Sequence, residues 1–455
     1  MLSGEGSFKR TISPWGQIFI AVATISPVAG VFVNIQGTLG TAGTGMFWAY
    51  VLAAVITWGV AFTYSEMGSM YPYSGGLYSI VRNVLGPTVG FMVLMDYLIQ
   101  AVFLPATIAL GAGQYFQAIF PTMSLNLLGF IVMLVVTIVA LLSTSLEAKF
   151  TGFFVILELI LMTVLTISSI AHIHQSISIY THPLALGHGR DVASTWGLVV
   201  TATAISLFSY NGYDSALNLS EETNASANKI GVGVVKAATI AIIFQIAPIF
   251  FMLLATPSVS GLLNSKDPLS FLGVSLFGKS ANVIFNVAAG FAILNSTLGV
   301  TIQFSRILYS SARDHVWPKA MSDGLQRIHP KTGSPFVAVI VVGVIGLVMT
   351  FFSSFLFDLA FIGVIVVALY FFVTIAAIVS RFRDKNVERP FKAPFGILFP
   401  IIGLAGSLFV LTQQTGQSLF ISVILFIIGA LYWLTLGRKF SEKAELLKSN
   451  SNETM

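Results

Sequence analysis

The chain has no cysteine, which excludes disulfides and thiolate metal sites. Charge is nearly as scarce: Asp, Glu, Lys and Arg make up 9% of the 455 residues, against about 25% in a soluble domain. HExxH, GxSxG and a cysteine nucleophile are all missing, so metalloprotease, hydrolase and thiol chemistry have no motif to build on. The glycine-rich "SGGLYS" at 74–79 lacks the Lys-Ser or Lys-Thr ending that contacts phosphate and magnesium. ATP-driven work has no motif either, no cofactor is implied, and an enzyme is the least favoured class.

What the chain has in abundance is apolar sequence, 56% hydrophobic residues with a mean hydropathy of +0.88. Crossing a bilayer takes about 20 apolar residues, and runs of that length recur from end to end. The first run lacks a small-residue cleavage site and continues as a long span, unlike a signal peptide. The sequence reads as an all-α polytopic membrane protein with twelve transmembrane helices, at 14–38, 45–69, 87–118, 124–144, 147–171, 192–220, 229–255, 281–312, 335–354, 358–381, 394–412 and 418–437. Ser13-Pro14 and Ser334-Pro335 place a capping residue before a proline that suits a first helical turn. Thr144 and Glu147 have capping-box spacing.

The pI near 9.3 invites a nucleic-acid surface, but the positions of the charges argue against one. With the N-terminus inside, only Arg190, Lys266 and Lys279 of the 23 basic residues fall on outer loops. The rest sit on several short inner connections and the tails, as the positive-inside rule requires, and form no single basic face. The partners expected are therefore the lipid bilayer and a small solute, with no nucleic acid. The expected organisation is a cytoplasmic tail at 1–13, a core of ten helices at 14–381, helices 11 and 12 at 394–437, and a cytoplasmic tail at 438–455. Compact loops and the absence of cysteine point to a prokaryotic plasma membrane. The outer 172–190 loop carries His172, His174, His182 and His188, but no carboxylate cluster completes a metal site, and it reads as solvated loop.

Two spans are interrupted. "ATISPVAGVFVNI" puts Ser26, Pro27 and Gly30 in the middle of the first. "SLFSYNGYDSALN" puts Asn211 and Gly212 in the sixth, with Tyr210 and Tyr213 on either side and Asp214 next. Proline removes a donor and hydrocarbon cannot solvate the groups left over, so each break must face protein or a water-filled cavity. If helices 1–5 and 6–10 are repeats, the breaks correspond, and paired breaks are the best sequence pointer to a transporter's binding site. Amides that follow a break attract a carboxylate, and carbonyls that precede it attract an ammonium. Pro27 cannot donate, so the donors expected are Val28 to Val31, with Gly30 allowing close approach of a ligand.

These segments resemble the amino acid–polyamine–organocation superfamily of permeases over roughly 14–437. "PVAGVF" is similar to the family's small-residue break in helix 1, and "YPYSGGLYSIV" to its segment after helix 2. "FSYNGYDSALNLSEET" is similar to its helix 6 break, "SRILYSSARDHVWPKAMSDGLQRIHPKTGSPF" to its connection between helices 8 and 9, and "RPFKAPFG" to its loop before helix 11. The resemblance implies a leucine-transporter-like fold: an inverted 5+5 repeat with broken helices 1 and 6, plus helices 11 and 12, working by alternating access. It places a substrate carboxylate at the amides of Ala29, Gly30 and Val31, and an amino group near the carbonyls of Thr24, Ile25 and Phe208. Phe208 falls at an aromatic gate position and Asn211 where a side chain helps set substrate choice. Val28 and Ala29 depart from the family's usual glycine and serine.

Ionisable residues inside a membrane are functional by default. Glu158 lies halfway along the fifth span, where several proton-coupled relatives carry a lysine that stands in for a sodium ion. A carboxylate there is a candidate for proton exchange, or for holding Na+ or a substrate ammonium with Ser296 or Thr297 of helix 8. Asp214 can bind an amine directly or cap the second half of helix 6, and capping is the reading preferred. Asp96 and Glu66 read as boundary or network carboxylates, Asp358 as the cap of helix 10, and Asn286 and Asn295 as interhelical glue. The function expected is a permease for amino acids, proton-coupled by symport or exchange. A polyamine or small-amine carrier of the same fold is the alternative, with Glu158 and Asp214 supplying the negative charge. A receptor that binds without transporting would share the same residues.

Overall fold

The computed structural model describes residues 8, 10–117, 119–142, 144–187, 189–265, 268–352, 355–414 and 416–443. The first third of the chain forms α1 (Pro14–Ile25), α2 (Pro27–Phe32), α3 (Ile35–Ala42), α4 (Met46–Met70), α5 (Gly76–Leu85), α6 (Pro87–Phe116) and α7 (Leu125–Ala140). The middle forms α8 (Thr144–Ala171), α9 (Ser178–Thr181), α10 (Trp196–Tyr210), α11 (Ser215–Asn218), α12 (Ala227–Ala255) and α13 (Val259–Leu263). The last third forms α14 (Pro268–Arg313, two helical pieces joined by a kink at Gly278), α15 (Lys319–Leu325), α16 (Phe336–Phe352), α17 (Phe355–Arg383), α18 (Leu398–Thr412) and α19 (Gly416–Tyr432). Among the described residues, eight helices are long and apolar enough to cross a membrane, and α7, α16 and α18 are shorter apolar helices. The chain is a multi-pass helical membrane protein.

Burial separates the helices into an inner and an outer set. The 14–32 segment is 83% buried, whereas 419–443 is only 17% buried and turns apolar side chains outward. A helix that is apolar all round belongs either at the centre of the bundle or against lipid, and these two sit at those extremes. α14 lies along α6, and α1 packs on α8, α12 and α14.

Several local readings hold. Ser13 caps α1 by accepting the Gly16 N–H at 3.0 Å, with Pro14 in the first turn. Glu66 is the hub of a network, accepting from Arg381 at 2.5 Å, from Arg389 at 2.6 Å and from the Ala393 N–H at 2.9 Å. Asn295 is interhelical glue, donating to the Thr151 carbonyl at 3.3 Å.

Others are corrected. The chain is not purely helical: β1 (Leu184–Gly187) and β2 (Arg190–Ala193) pair antiparallel inside the histidine-bearing loop, so the sixth span begins only at Trp196. His188 and the side chains of Thr144 and Asp358 lie outside the described residues. Glu147 is no capping-box partner, because its Oε2 accepts from buried Arg306 at 3.1 Å. Asp358 lies within the helical run of α17, which starts at Phe355, and so does not precede the helix. The hydroxyl of Ser334 donates to the Ala140 carbonyl at 3.2 Å. The "SGGLYS" segment leads into α5, whose Leu77, Ile80, Val81 and Val84 are buried.

Below the breaks, one end of the bundle is closed by charge. Arg306 is fully buried; it donates from Nε to Glu222 at 2.9 Å and from Nη2 to Glu147. Arg313 holds Glu221 through two hydrogen bonds of 2.7 and 2.9 Å. Burial pushes the Glu221 carboxyl up, but the bonds and charge of Arg313 outweigh it and hold the group below its ordinary value. The chain ahead of α1 is tied to the same end: Ile12 N–H donates to the Glu222 carbonyl at 3.0 Å, and Asn224 N–H to the Ile12 carbonyl at 2.8 Å.

Candidate functional site

The first break is made by Ser26, a non-glycine residue at φ +49°. Its N–H closes α1 on the Val22 carbonyl at 2.8 Å, and its carbonyl accepts the Gly30 N–H at 2.8 Å. Its hydroxyl accepts the Ala29 N–H at 3.1 Å. Pro27, at the first position of α2, has no N–H to leave unpaired. The second break needs Gly212, whose φ of +121° excludes other residues at low cost. A Cβ there would also lie 2.9 Å from the Ile25 N. The two breaks therefore touch, backbone to backbone.

They border one cavity with about 40 Å³ of free interior. That volume admits only a few waters, so a solute must widen it. Of the residues expected at a substrate site, Thr24, Ile25, Ala29, Gly30, Phe208 and Asn211 line the cavity, together with Ser296. Val28, Val31, Tyr210, Asp214, Glu158 and Thr297 do not. Val31 is buried in helix packing, and Tyr210 packs edge-on against Tyr50 with ring centroids 5.8 Å apart. Thr297 donates to the Ile293 carbonyl of its own helix at 3.1 Å.

Glu158 reaches the break from behind. Its Oε1 accepts the Ser26 hydroxyl at 2.6 Å and the Val28 N–H at 2.8 Å. Ser296 instead donates to the Thr24 carbonyl at 3.2 Å. Glu158, on α8, thus bonds to the first break, while Ser296 and Thr297 bond to backbone carbonyls. Among the described residues, Glu158 Oε2 has no hydrogen-bond partner.

Asp214 carries no side-chain cap of α11. Its Oδ2 accepts from the Tyr97 hydroxyl at 2.6 Å and from Gln303 Nε2 at 2.7 Å. The preferred capping reading gives way because α11 spans a single turn, while a phenol and an amide stand within reach. Of the boundary and network readings, Asp96 takes the second: it is 1% exposed and accepts from Gln100 Nε2 at 2.9 Å. Gln100 and Gln303 line the cavity, so each carboxylate stands directly behind a lining glutamine.

Gly30 lines the cavity and also meets a second constraint. A Cβ on it would lie 2.4 Å from Gln245 Oε1 of α12, so its bare side faces a protein amide. Gln245 in turn donates to the Ser209 carbonyl at 2.9 Å. Gly30→Ala should therefore overpack this contact and cost about 1–3 kcal/mol. Adding Gln245→Ala should restore the melting temperature in detergent; if the double variant melts no higher than the single one, the clash is not the cause. Gln100, Gln245, Gln303 and Asn34 escaped the sequence reading. The available signal was a lone amide in an apolar run, as in "IIFQIA" or "TIQFS", which is costly in a membrane unless used.

The sequence profile described as amino acid permease matches residues 12–435. The chain is 23% identical to the methylthioribose transporter of Bacillus subtilis (strain 168), with 96% of each chain covered. It is 22% identical to the branched-chain amino acid permease BcaP of the same organism, over 97% of this chain and 96% of that one. It is 27% identical to the low-affinity putrescine importer PlaP of Escherichia coli (strain K12), over 86% of each. The cavity between two broken helices and the match along nearly the whole chain lead to one conclusion: the protein is a membrane permease, not an enzyme, and it belongs to the amino acid permease family of the amino acid–polyamine–organocation superfamily.

Proposed function

We propose that this permease is a secondary active transporter of a small amine-bearing solute, an amino acid or an organic amine, moved by alternating access and coupled to a proton. The observation that carries the reading is the contact of two broken helices across one cavity lined by polar groups, a geometry suited to a site exposed alternately to each face. Relatives named for an amino acid, a diamine and a methylthio sugar support a small-solute carrier. In this reading twelve spans form an inverted 5+5 repeat plus two helices, the core is 14–381, and both termini are cytoplasmic in a prokaryotic plasma membrane. The carbonyls of Thr24 and Phe208 each accept one hydrogen bond and keep a lone pair for a substrate N–H. Glu158 Oε2, without a partner among the described residues, is the place for the coupling proton, which favours H+ over Na+.

The test is uptake by the purified protein in liposomes under an imposed pH gradient, with and without sodium. Accumulation that follows the pH gradient and ignores sodium supports the reading; no accumulation of any amino acid or amine refutes it. Phe208 lines the cavity as the proposed gate. Phe208→Ala should weaken substrate retention roughly ten-fold or more, about 1.4 kcal/mol, and transport at the wild-type rate and affinity would remove the gate assignment.

A further inference from the structure

Deepening the transport reading, on which it rests, we infer that Glu158 fills with its own carboxylate the place at the first break that a substrate carboxylate would need, and that the solute carried is an organic cation without a carboxylate, of the mono- and diamine class. The donors at the break are already engaged. Val28 N–H and the Ser26 hydroxyl go to Glu158 Oε1, Ala29 N–H to Ser26 Oγ and Gly30 N–H to the Ser26 carbonyl. An incoming carboxylate would find these donors taken.

The rest of the cavity has the complementary character. Among the described residues no Lys, Arg or His lines it. Arg306, one helical turn beyond Gln303, is taken up by Glu147 and Glu222. Around the cavity the unpartnered buried atoms include a run of acceptors: Asp96 Oδ1, Asp214 Oδ1, Glu158 Oε2, Gln245 Oε1 and Asn34 Oδ1. Among the described residues no basic side chain pairs with Asp96, Asp214 or Glu158. An ammonium is three donors and no acceptor, and it matches this surplus in both charge and hydrogen bonding. A zwitterion matches only half of it.

The experiment compares each of several amino acids with the amine left when its carboxylate is removed, lysine against cadaverine and leucine against isoamylamine, adding putrescine and the neutral sugar ribose. Thermal stabilisation of the purified full chain and uptake into liposomes are both read. The expected result is that amines stabilise and accumulate while their carboxylated counterparts do neither. Glu158→Ala, which frees the two donors, should shrink the preference for amine over amino acid by at least roughly ten-fold. Should that variant not fold, the wild-type comparison decides alone. Accumulation of amino acids but not their amines overturns this inference and leaves the transport reading intact; accumulation of ribose alone overturns both. Accumulation of nothing overturns both.

Discussion

Replacing Arg306 with methionine is expected to destabilise the protein by about 3–5 kcal/mol, a large share of the roughly 5–15 kcal/mol that holds a domain folded. The guanidinium is fully buried and ties α14 to α8 and to the turn after α11: Nε reaches Glu222, Nη2 reaches Glu147 on α8, and Nη1 donates to the neighbouring Ser305 at 3.1 Å. The pairing as such need not be worth much, because desolvating three charges offsets most of their attraction. The cost lies in breaking it, since two buried carboxylates would be left facing each other with no cation. Arg306→Met combined with Glu147→Gln and Glu222→Gln should therefore recover most of the lost melting temperature, which a pure packing role would not allow. Arg306→Lys should rescue poorly, because a point charge cannot serve two carboxylates as a planar fork does. The measurement is thermal unfolding in detergent. Arg306→Met melting within about 1 kcal/mol of wild type would show that the cluster does not bind this end of the bundle together.

How much of this was legible in the sequence depends on what each feature answers to. Spans and breaks were legible because apolar length and Pro27 or Gly212 act locally: the chain interrupts where it must, at Ser26 and at Asn211-Gly212. Two assignments failed because the true partner is distant in the chain. Glu147 fits a capping box by spacing, but its partner is 159 residues away. Asp214 fits a cap by position, but Tyr97 and Gln303 reach it from two other helices. Gly30 lines the cavity, and its closeness to the Gln245 amide could not be read from the chain. Periodicity cannot choose between a local cap and a remote hydrogen bond, because both want the same polar atom. The β-hairpin at 184–193 was missed for a simpler reason: four-residue strands are too short for alternation to register.

The second large effect is expected from Glu158→Gln, and it separates coupling from selectivity at one residue. A glutamine Oε1 can still accept from the Ser26 hydroxyl and the Val28 N–H, so the break keeps its geometry and its donors stay engaged. An amide in place of Oε2 cannot take up or release a proton. Accumulation driven by a pH gradient should then fall by at least roughly ten-fold, while counterflow between equal internal and external solute pools stays within a few-fold of wild type; a ten-fold change corresponds to about 1.4 kcal/mol. Substrate preference should not move, because the donors are occupied exactly as before; in Glu158→Ala, by contrast, they are vacated and preference should shift. Asp96 and Asp214 remain behind Gln100 and Gln303 to meet a cation, which is why binding survives the loss of one carboxylate. Undiminished uptake by Glu158→Gln under the pH gradient would take the coupling proton off this residue and leave Asp96 or Asp214 to carry it. Loss of counterflow together with gradient-driven uptake would instead make Glu158 part of the binding site itself, because equilibrating exchange needs a solute site but no net proton movement.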